Sequence, residues 1–227
     1  MAMREWFVQY NEIKSYSGQN VQVVIPSSIY GKDIRAIGDN AFNANNPKIK
    51  KETQTARKNI SKIKIEYGIS EIGDNAFEGC LSLQEIEIPD TVKTIRKNAF
   101  GNCTSLIHVS MPSDVKLGWE LFTNCTSLTS FSFPSTMCAT PIRCFQGCIS
   151  LNQVVLPEGL REISCGTFDR CKSLFDISIP ETVSVIGDYA FARCESLIGI
   201  VLPDGIKEIE AHLFNGCTSL KDVKLPS

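Results

Sequence analysis

Three residues of the types that carry out hydrolysis recur at a regular spacing in this chain. Glu85, His108 and Ser130 supply a carboxylate, an imidazole and a hydroxyl, separated by 23 and then 22 residues. Side by side, an acid, a base and a nucleophile of these types can activate a hydroxyl for attack on an ester or amide. Such sites also need a strained nucleophile turn, an oxyanion hole and a pocket that excludes water. An open array of stacked units, which the spacing indicates, supplies none of these, so we predict a polar surface and no enzyme.

Ten cysteines are the other residues with reactive side chains, and seven of them follow the same spacing. These seven are Cys80, Cys103, Cys125, Cys148, Cys171, Cys194 and Cys217. Stacked in register they would lie about 4.8 Å apart, within reach of disulfide bonds. Identical side chains pointing into a core more often stay as thiols that behave as small hydrophobes, and this is our prediction.

The remaining cysteines, Cys138, Cys144 and Cys165, lie outside that series. Cys144 is four residues from Cys148, but no second pair or histidine completes a tetrahedral set of metal ligands. We therefore expect no metal site and no cofactor.

The same spacing governs the phenylalanines and identifies the class of fold. Steps of 23 residues, once 22, separate Phe77, Phe100, Phe122, Phe145, Phe168, Phe191 and Phe214. One series of leucines and one of prolines keep these steps. Several residue types locked to one short period indicate a solenoid, in which stacked units bury a shared core.

Each unit contains the signals of two short strands and a turn. Residues 83–89 alternate apolar and polar side chains and end in a proline, which is typical of a strand. Val92 and Ile95 form a second apolar pair, and residues 76–80 suit one helical or 3-10 turn packed on the strand. We predict an α/β repeat solenoid, with a parallel β-sheet on one face and short strands and turns on the other.

We predict one continuous solenoid over residues 1–227, opened by a β-rich cap. The cap covers residues 1–26 and contains three β-prone runs. A first repeat needs a cover for its open apolar face, and we expect Trp6, Phe7 and Tyr10 to supply it.

An insertion interrupts the array after its first repeat. Phe42 and Phe77 are 35 residues apart instead of 23, which places extra residues at 46–57. Residues 43–59 contain five basic side chains and one acidic side chain, a local balance of +4. We predict a basic surface loop, with a tether for an acidic partner as the alternative, and regular repeats over 60–227.

A family resemblance rests on these motifs. The pattern Leu-x-x-Ile-x-Ile-Pro-x-x-Val-x-x-Ile-x-x-x-Ala-Phe-x-x-Cys at residues 83–103 resembles the leucine-rich repeat of BspA-like bacterial surface proteins. The run at residues 16–42 is similar to the usual first repeat of that class. The resemblance implies a noncatalytic protein-binding scaffold, at the cell surface or secreted, for adhesion to host or matrix proteins.

An intracellular interaction or assembly scaffold is the alternative. Residues 1–20 contain no apolar core of a signal peptide, which favours the cytoplasm. The formal net charge of −2 gives no bulk attraction to nucleic acid, and no apolar run approaches the length of a membrane span. The last repeat ends on strand residues without a polar cap, so we also expect end-to-end association of two copies.

The exposed face of the sheet is the first candidate surface. Side chains in one repeat position share this face, so Lys62 with Glu85 and Lys64 with Glu87 are expected to pair across strands. We expect the face to be concave and to bind an extended protein, with a glycan as the alternative. The predicted binding residues are Ile107, His108, Ser110, Ser130, Ser132, Gln153, Phe175, Asp176 and Ile198.

The outer turns supply the second candidate surface. The position held by Asp39, Asp74 and Lys97 becomes Trp119, Ile142 and Cys165 in three successive repeats. Apolar residues in charged positions indicate an outer apolar patch for a partner. The alternative is local repacking around the one short repeat.

Overall fold

The computed structural model describes residues 5–225, and its N-terminal part consists of short strands followed by one helix. The strands are β1 (Trp6–Gln9), β2 (Glu12–Tyr16), β3 (Gln22–Ile25), β4 (Ser28–Ile29), β5 (Lys32–Asp33) and β6 (Ala36–Ile37). The helix is α1 (Lys51–Lys58).

The rest of the chain alternates between two sets of short strands. These are β7 (Lys62–Ile65), β8 (Glu71–Ile72), β9 (Glu85–Glu87), β10 (Thr94–Ile95), β11 (His108–Val109), β12 (Lys116–Leu117), β13 (Ser130–Ser132), β14 (Gln153–Val155), β15 (Glu162–Ile163), β16 (Val185–Ile186), β17 (Gly199–Val201) and β18 (Asp222–Lys224).

The first set forms parallel ladders whose register equals one repeat. Strands β11, β9, β7 and β3 make one four-stranded sheet, and β13–β14 and β17–β18 continue it as parallel pairs. Lys62 pairs with Glu85, and Glu85 with His108, as the 23-residue step predicts. Alternate residues point inward, so Ile63 and Ile86 are buried.

The second set packs on the other side of the core. Its main sheet has the order β1-β2-β6-β8-β10-β12, in which β1 and β2 are antiparallel and the other pairs are parallel. Strands β15 and β16 pair in the same way further along. Between the sets, i→i+3 hydrogen bonds close the turns, as from the Cys80 amide to the Phe77 carbonyl at 3.2 Å. The predicted repeat solenoid is confirmed.

A column of phenylalanine rings runs through the core. Centroids of neighbouring rings lie 5.1–6.1 Å apart from Phe42 to Phe214. The column passes the 22-residue step without a break, since Phe100 and Phe122 stack at 5.5 Å. Each repeat therefore buries its ring against the copies before and after it, which a single unit cannot do alone.

The N-terminal cap covers this column with Trp6, one of the three residues predicted, and with Tyr16. Trp6 packs on Tyr16 at 4.6 Å, and Tyr16 stacks on Phe42 at 5.0 Å. Phe7 and Tyr10 are exposed instead, so their predicted covering role is wrong. Trp6 and Phe7 are neighbours in β1, so the alternation of the strand turns Phe7 outward when Trp6 faces the core, and Tyr10 lies in the turn after β1.

The seven repeated cysteines form a second column, in which each thiol donates to the main chain of the preceding repeat. The acceptor is the carbonyl of that repeat's phenylalanine, at Sγ–O distances of 3.0–3.5 Å. Cys103, for example, reaches the Phe77 oxygen at 3.2 Å. The ten cysteines are unpaired thiols, and burial raises the pKa of Cys80 to about 12.

The insertion contains a helix where we predicted a loop. Its helix α1 has exposed lysines at its start, Lys50 and Lys51, while Arg57 near its end is fully buried. The prediction assumed that the twelve extra residues form a loop in which every side chain stays on the surface. The helix instead places one charged side chain, Arg57, in the interior.

Arg57 links α1 to the first repeat. Its guanidinium donates to the carbonyls of Tyr16 at 2.7 and 2.9 Å and of Asn43 at 2.8 Å, and to the Ser15 hydroxyl at 2.8 Å. The Asn40 carbonyl accepts a longer bond of 3.3 Å. Burial lowers the pKa of Arg57 to about 10, so the group stays charged at neutral pH and satisfies carbonyls at the break in the array.

Candidate functional site

The outward-pointing side chains of the first set of strands form a continuous surface, which we call the strand face. It runs from β7 through β9, β11, β13 and β14, past residues 176–178, to β17 and β18. Because the repeats are stacked in register, each repeat adds one row of side chains to it. Its two halves differ in chemistry.

Ion pairs cover the N-terminal half. Lys62 Nζ lies 3.1 Å from carboxylate oxygens of both Glu85 and Glu87, and Lys64 Nζ lies 3.5 Å from Glu87. The two predicted cross-strand pairs are confirmed, and the Lys62–Glu87 diagonal joins them. Hydrogen bonding to Glu87 raises the pKa of Lys62, and hydrogen bonding to Lys62 lowers the pKa of Glu87. These charges are therefore already neutralised within the chain.

The three residues considered for hydrolysis do not form a catalytic chain. Glu85 bonds Lys62, and His108 Nε2 contacts the hydroxyl of Ser110, two residues further along the chain, at 3.2 Å. Within residues 5–225, no hydrogen bond joins His108 to Glu85 or Ser130. The arrangement has the right residue types on neighbouring strands but lacks the nucleophile–base contact.

The predicted binding residues lie together on the strand face. Those that are exposed are Ile107, His108, Ser110, Ser132, Gln153, Phe175, Asp176 and Ile198, and Ser130 is half-buried. In the middle of the face, His108, Ser130 and Gln153 form a row of polar side chains. Ile107 and Val155 are exposed beside this row, and a larger apolar cluster begins at Phe175.

A groove lies at the C-terminal end of the face. Its volume is about 630 Å³, and it extends from residues 175–181 across β17 to β18. The apolar side chains on its walls are strongly exposed, with 52% of Phe175, 53% of Ile198 and 53% of Val201 accessible to solvent. Asp176 and Asp222 add two carboxylates.

The sheet is interrupted beside this groove. Residues 176–178 have the position of a strand between β14 and β17 but belong to no ladder. Across the described chain, the amides of Asp176, Ile177 and Ser178 donate no main-chain hydrogen bond. The bond from the Ile198 amide to the Phe175 carbonyl, at 3.3 Å, still holds the neighbouring repeat in register.

Several groove residues were not among the predicted binding residues. They include Gly199, Val201, Asp222 and Lys224. The sequence contains a signal for Gly199, because its repeat position carries a polar side chain in the preceding units, as at Gln153 and Asp176. Val155 and Val201 similarly occupy the position of Glu87.

The three apolar residues of the outer turns do not form one evenly exposed patch. Trp119 is 59% exposed, and Ile142 and Cys165 are half-buried. Trp119 lies beside Arg96, Lys97 and Lys116 in a shallow groove of about 530 Å³. One exposed indole among charged side chains is a smaller apolar surface than the groove at the C-terminal end of the strand face.

Residues 5–225 contain no group of three or more His, Cys, Asp or Glu side chains placed to hold a metal ion. In the same residues, no helix has both the length and the apolar character required to cross a bilayer.

A parallel-stranded solenoid with phenylalanine and cysteine columns defines a leucine-rich repeat protein. The sequence model of the BspA type leucine rich repeat region matches residues 47–148 and 139–227, in six copies. The chain therefore belongs to this family. A search of curated proteins found no match.

Solved structures show the same architecture. The leucine-rich repeat protein of T. pallidum (TpLRR) is 27% identical, with a TM-score of 0.74 over 85% of this chain and 86% of that one. A leucine rich cell surface protein from Faecalibacterium prausnitzii is 22% identical, with a TM-score of 0.70 over 97% of this chain and 74% of that one. The second likeness concerns the fold alone.

Proposed function

We propose that this chain is a noncatalytic scaffold that binds a protein ligand on its strand face. The observation that supports this most is the exposed apolar wall formed by Phe175, Ile198 and Val201. Burying these groups would be favourable in proportion to their area. No packing inside the solenoid covers them, and exposed apolar groups with a polar rim are typical of partner surfaces.

The absence of catalysis is part of the proposal. The strand face is open, and its candidate base, His108, contacts the hydroxyl of Ser110 two residues further along the chain. An acyl-transfer site must exclude water and stabilise an oxyanion. A surface without an enclosed pocket suits recognition of a large ligand.

An adhesive role at the cell surface, or after secretion, is the form of this function that the family favours. The ligand would then be a host or matrix protein, with a glycan as the competing ligand class. One observation favours the intracellular alternative: Cys138 is an exposed, unpaired thiol, and such thiols persist in reducing compartments.

Binding of the intact chain to purified extracellular-matrix and serum proteins tests the proposal. Phe175→Thr and Ile198→Asn introduce residues that Thr129 and Asn152 supply at the same repeat position, so the fold should tolerate them. We expect the double variant to lose at least tenfold in affinity. Trp119→Asp, which changes the outer turn, is the matched control and should bind normally.

Two results would overturn the proposal. One is binding that survives the double variant, especially if Trp119→Asp abolishes it. The other is a panel without any ligand. Antibody labelling of intact source cells, compared with permeabilised cells, then separates the surface location from the intracellular one.

A further inference from the structure

The groove at the C-terminal end of the strand face contains a gap one side chain wide. Gly199 lies between Asp176 and Asp222 in the repeat position that carries Lys62, Glu85, His108, Ser130 and Gln153 elsewhere. Gly199 therefore leaves a space without a side chain between two carboxylates. We call Gly199 and its two flanking aspartates the notch.

From the notch we infer that the protein ligand inserts a basic side chain, arginine or lysine, over Gly199. This inference rests on the proposed function, because it names what the ligand presents to the strand face. Asp176 and Asp222 are two repeats apart, or about 10 Å at the spacing of stacked strands. A cation above the glycine therefore lies between them and within reach of both.

Charge complementarity supports this occupant. The groove is lined by three acidic residues, Asp176, Glu181 and Asp222, and one basic residue, Lys224. Three minus one leaves a local charge of −2. In the described part of the chain none of these four makes an ion pair or a hydrogen bond through its side chain.

The walls of the notch suit the same occupant. Phe175 and Ile198 flank it on one side and Val201 on the other. A phenylalanine face attracts a cation electrostatically, and apolar walls pack against the aliphatic stem of lysine or arginine. A neutral sugar would leave both carboxylates without a compensating charge.

The backbone conformation at residue 199 does not require a glycine. Its φ lies outside the left-handed region, and a Cβ added there would meet the Asp222 carbonyl oxygen at 3.4 Å and the Asp222 Cβ at 3.7 Å. These are ordinary contacts, so the chain has room for a side chain at this position. A filled notch with an intact fold is therefore attainable, which provides a clean test.

The experiment selects random dodecapeptides, displayed on phage, on the immobilised intact chain. Each enriched peptide is then measured against Gly199→Gln, which fills the notch with the residue found at Gln153. Asp176→Asn and Asp222→Asn remove one charge each without changing shape. Glu85→Gln is the control, since it changes the same repeat position in the ion-paired half of the face.

We expect most enriched peptides to bind Gly199→Gln at least tenfold more weakly and to contain a basic residue beside an apolar one. Changing that basic residue to glutamine should reproduce the loss. Each aspartate variant should lose at least threefold, and Glu85→Gln should be unchanged. Lys224→Ala should bind more tightly, because it removes the competing positive charge.

Different results overturn different claims. Peptides that lose binding with Phe175→Thr and Ile198→Asn but bind Gly199→Gln normally would refute the notch and leave the strand face as the binding site. Notch-dependent peptides without a basic residue, or a neutral glycan whose binding Gly199→Gln abolishes, would refute the basic side chain. Peptides unaffected by every strand-face variant would refute the proposed function as well. Should Gly199→Gln unfold, the aspartate variants decide.

Discussion

The two halves of the strand face are built from the same repeat but differ in whether their exposed side chains are paired with one another. In the N-terminal half, Lys62 and Lys64 pair with Glu85 and Glu87 above a continuous sheet. In the C-terminal half, Phe175 and Asp176 stand unpartnered beside a break in the ladder. The solenoid core is the same under both.

The difference shows that the repeat separates stability from recognition. Inward positions are apolar in nearly every repeat, whereas outward positions change between charged, polar and apolar residues. A half whose charges neutralise one another offers little to a ligand. A half with exposed apolar groups and uncompensated charge can gain from one.

The largest expected effect concerns what anchors the N-terminal half. Arg57→Met leaves the carbonyls of Tyr16, Asn40 and Asn43 without their buried donor, so we expect the free energy of unfolding to fall by about 3–5 kcal/mol. Urea denaturation measures it. Lys58→Met, the neighbouring charge on α1, should change it by less than about 0.5 kcal/mol. Equal effects of the two variants would refute the anchoring role.

The break in the ladder predicts a difference in amide hydrogen exchange. The amides of residues 176–178 should exchange on the order of 100-fold faster than those of β7 and β9, because they lack main-chain acceptors. Exchange followed by mass spectrometry of short peptides resolves these segments. Similar protection in all three would mean that the sheet is continuous in solution.

Filling the notch should stabilise the C-terminal half. Gly199→Gln removes a glycine from a strand and should raise the free energy of unfolding by about 0.5–1 kcal/mol. Gly73→Gln is the matched substitution in the N-terminal half, where a Cβ would lie 2.6 Å from the Asp39 amide nitrogen, and it should destabilise. A loss of stability in both would show that Gly199 is required by the fold.

The smallest expected effect is the titration of Glu87. Its hydrogen bond to Lys62 lowers its pKa below the ordinary value of 4.5, so its contribution to stability is present above that value and is lost as the pH falls through the lowered pKa. Carbon NMR of the carboxyl group reports this. Lys62→Met should raise the pKa of Glu87 towards 4.5, whereas Lys93→Met should leave it unchanged.

The sequence predicted the stack because inward positions repeat with one period. It also predicted the Lys62–Glu85 and Lys64–Glu87 pairs, since register alone determines which outward residues are neighbours. The Lys62–Glu87 diagonal depends on a lysine rotamer, which the period does not specify.

The failed expectations concern contacts outside the period. In the sequence, Arg57 cannot be distinguished from a surface charge. Its acceptors are main-chain carbonyls, which every residue type carries, so the sequence pattern does not reveal them. Phe7 cannot share the covering role with Trp6, because neighbouring residues of a strand point to opposite faces, and Tyr10 lies in the turn after β1. Residues 176–178 have the strand pattern of the other repeats in the sequence and still belong to no ladder, so the period did not predict this break.

The thiol column gives the solenoid a direction. Each cysteine sulfur donates backwards to the carbonyl of the unit before it, so every unit completes its predecessor and depends on its successor. A whole unit inserted between two others would bring a thiol donor for the unit before it and a carbonyl acceptor for the unit after it. Removing a unit from the middle would also preserve this pattern, whereas a cut within a unit would separate a donor from the strand that positions it.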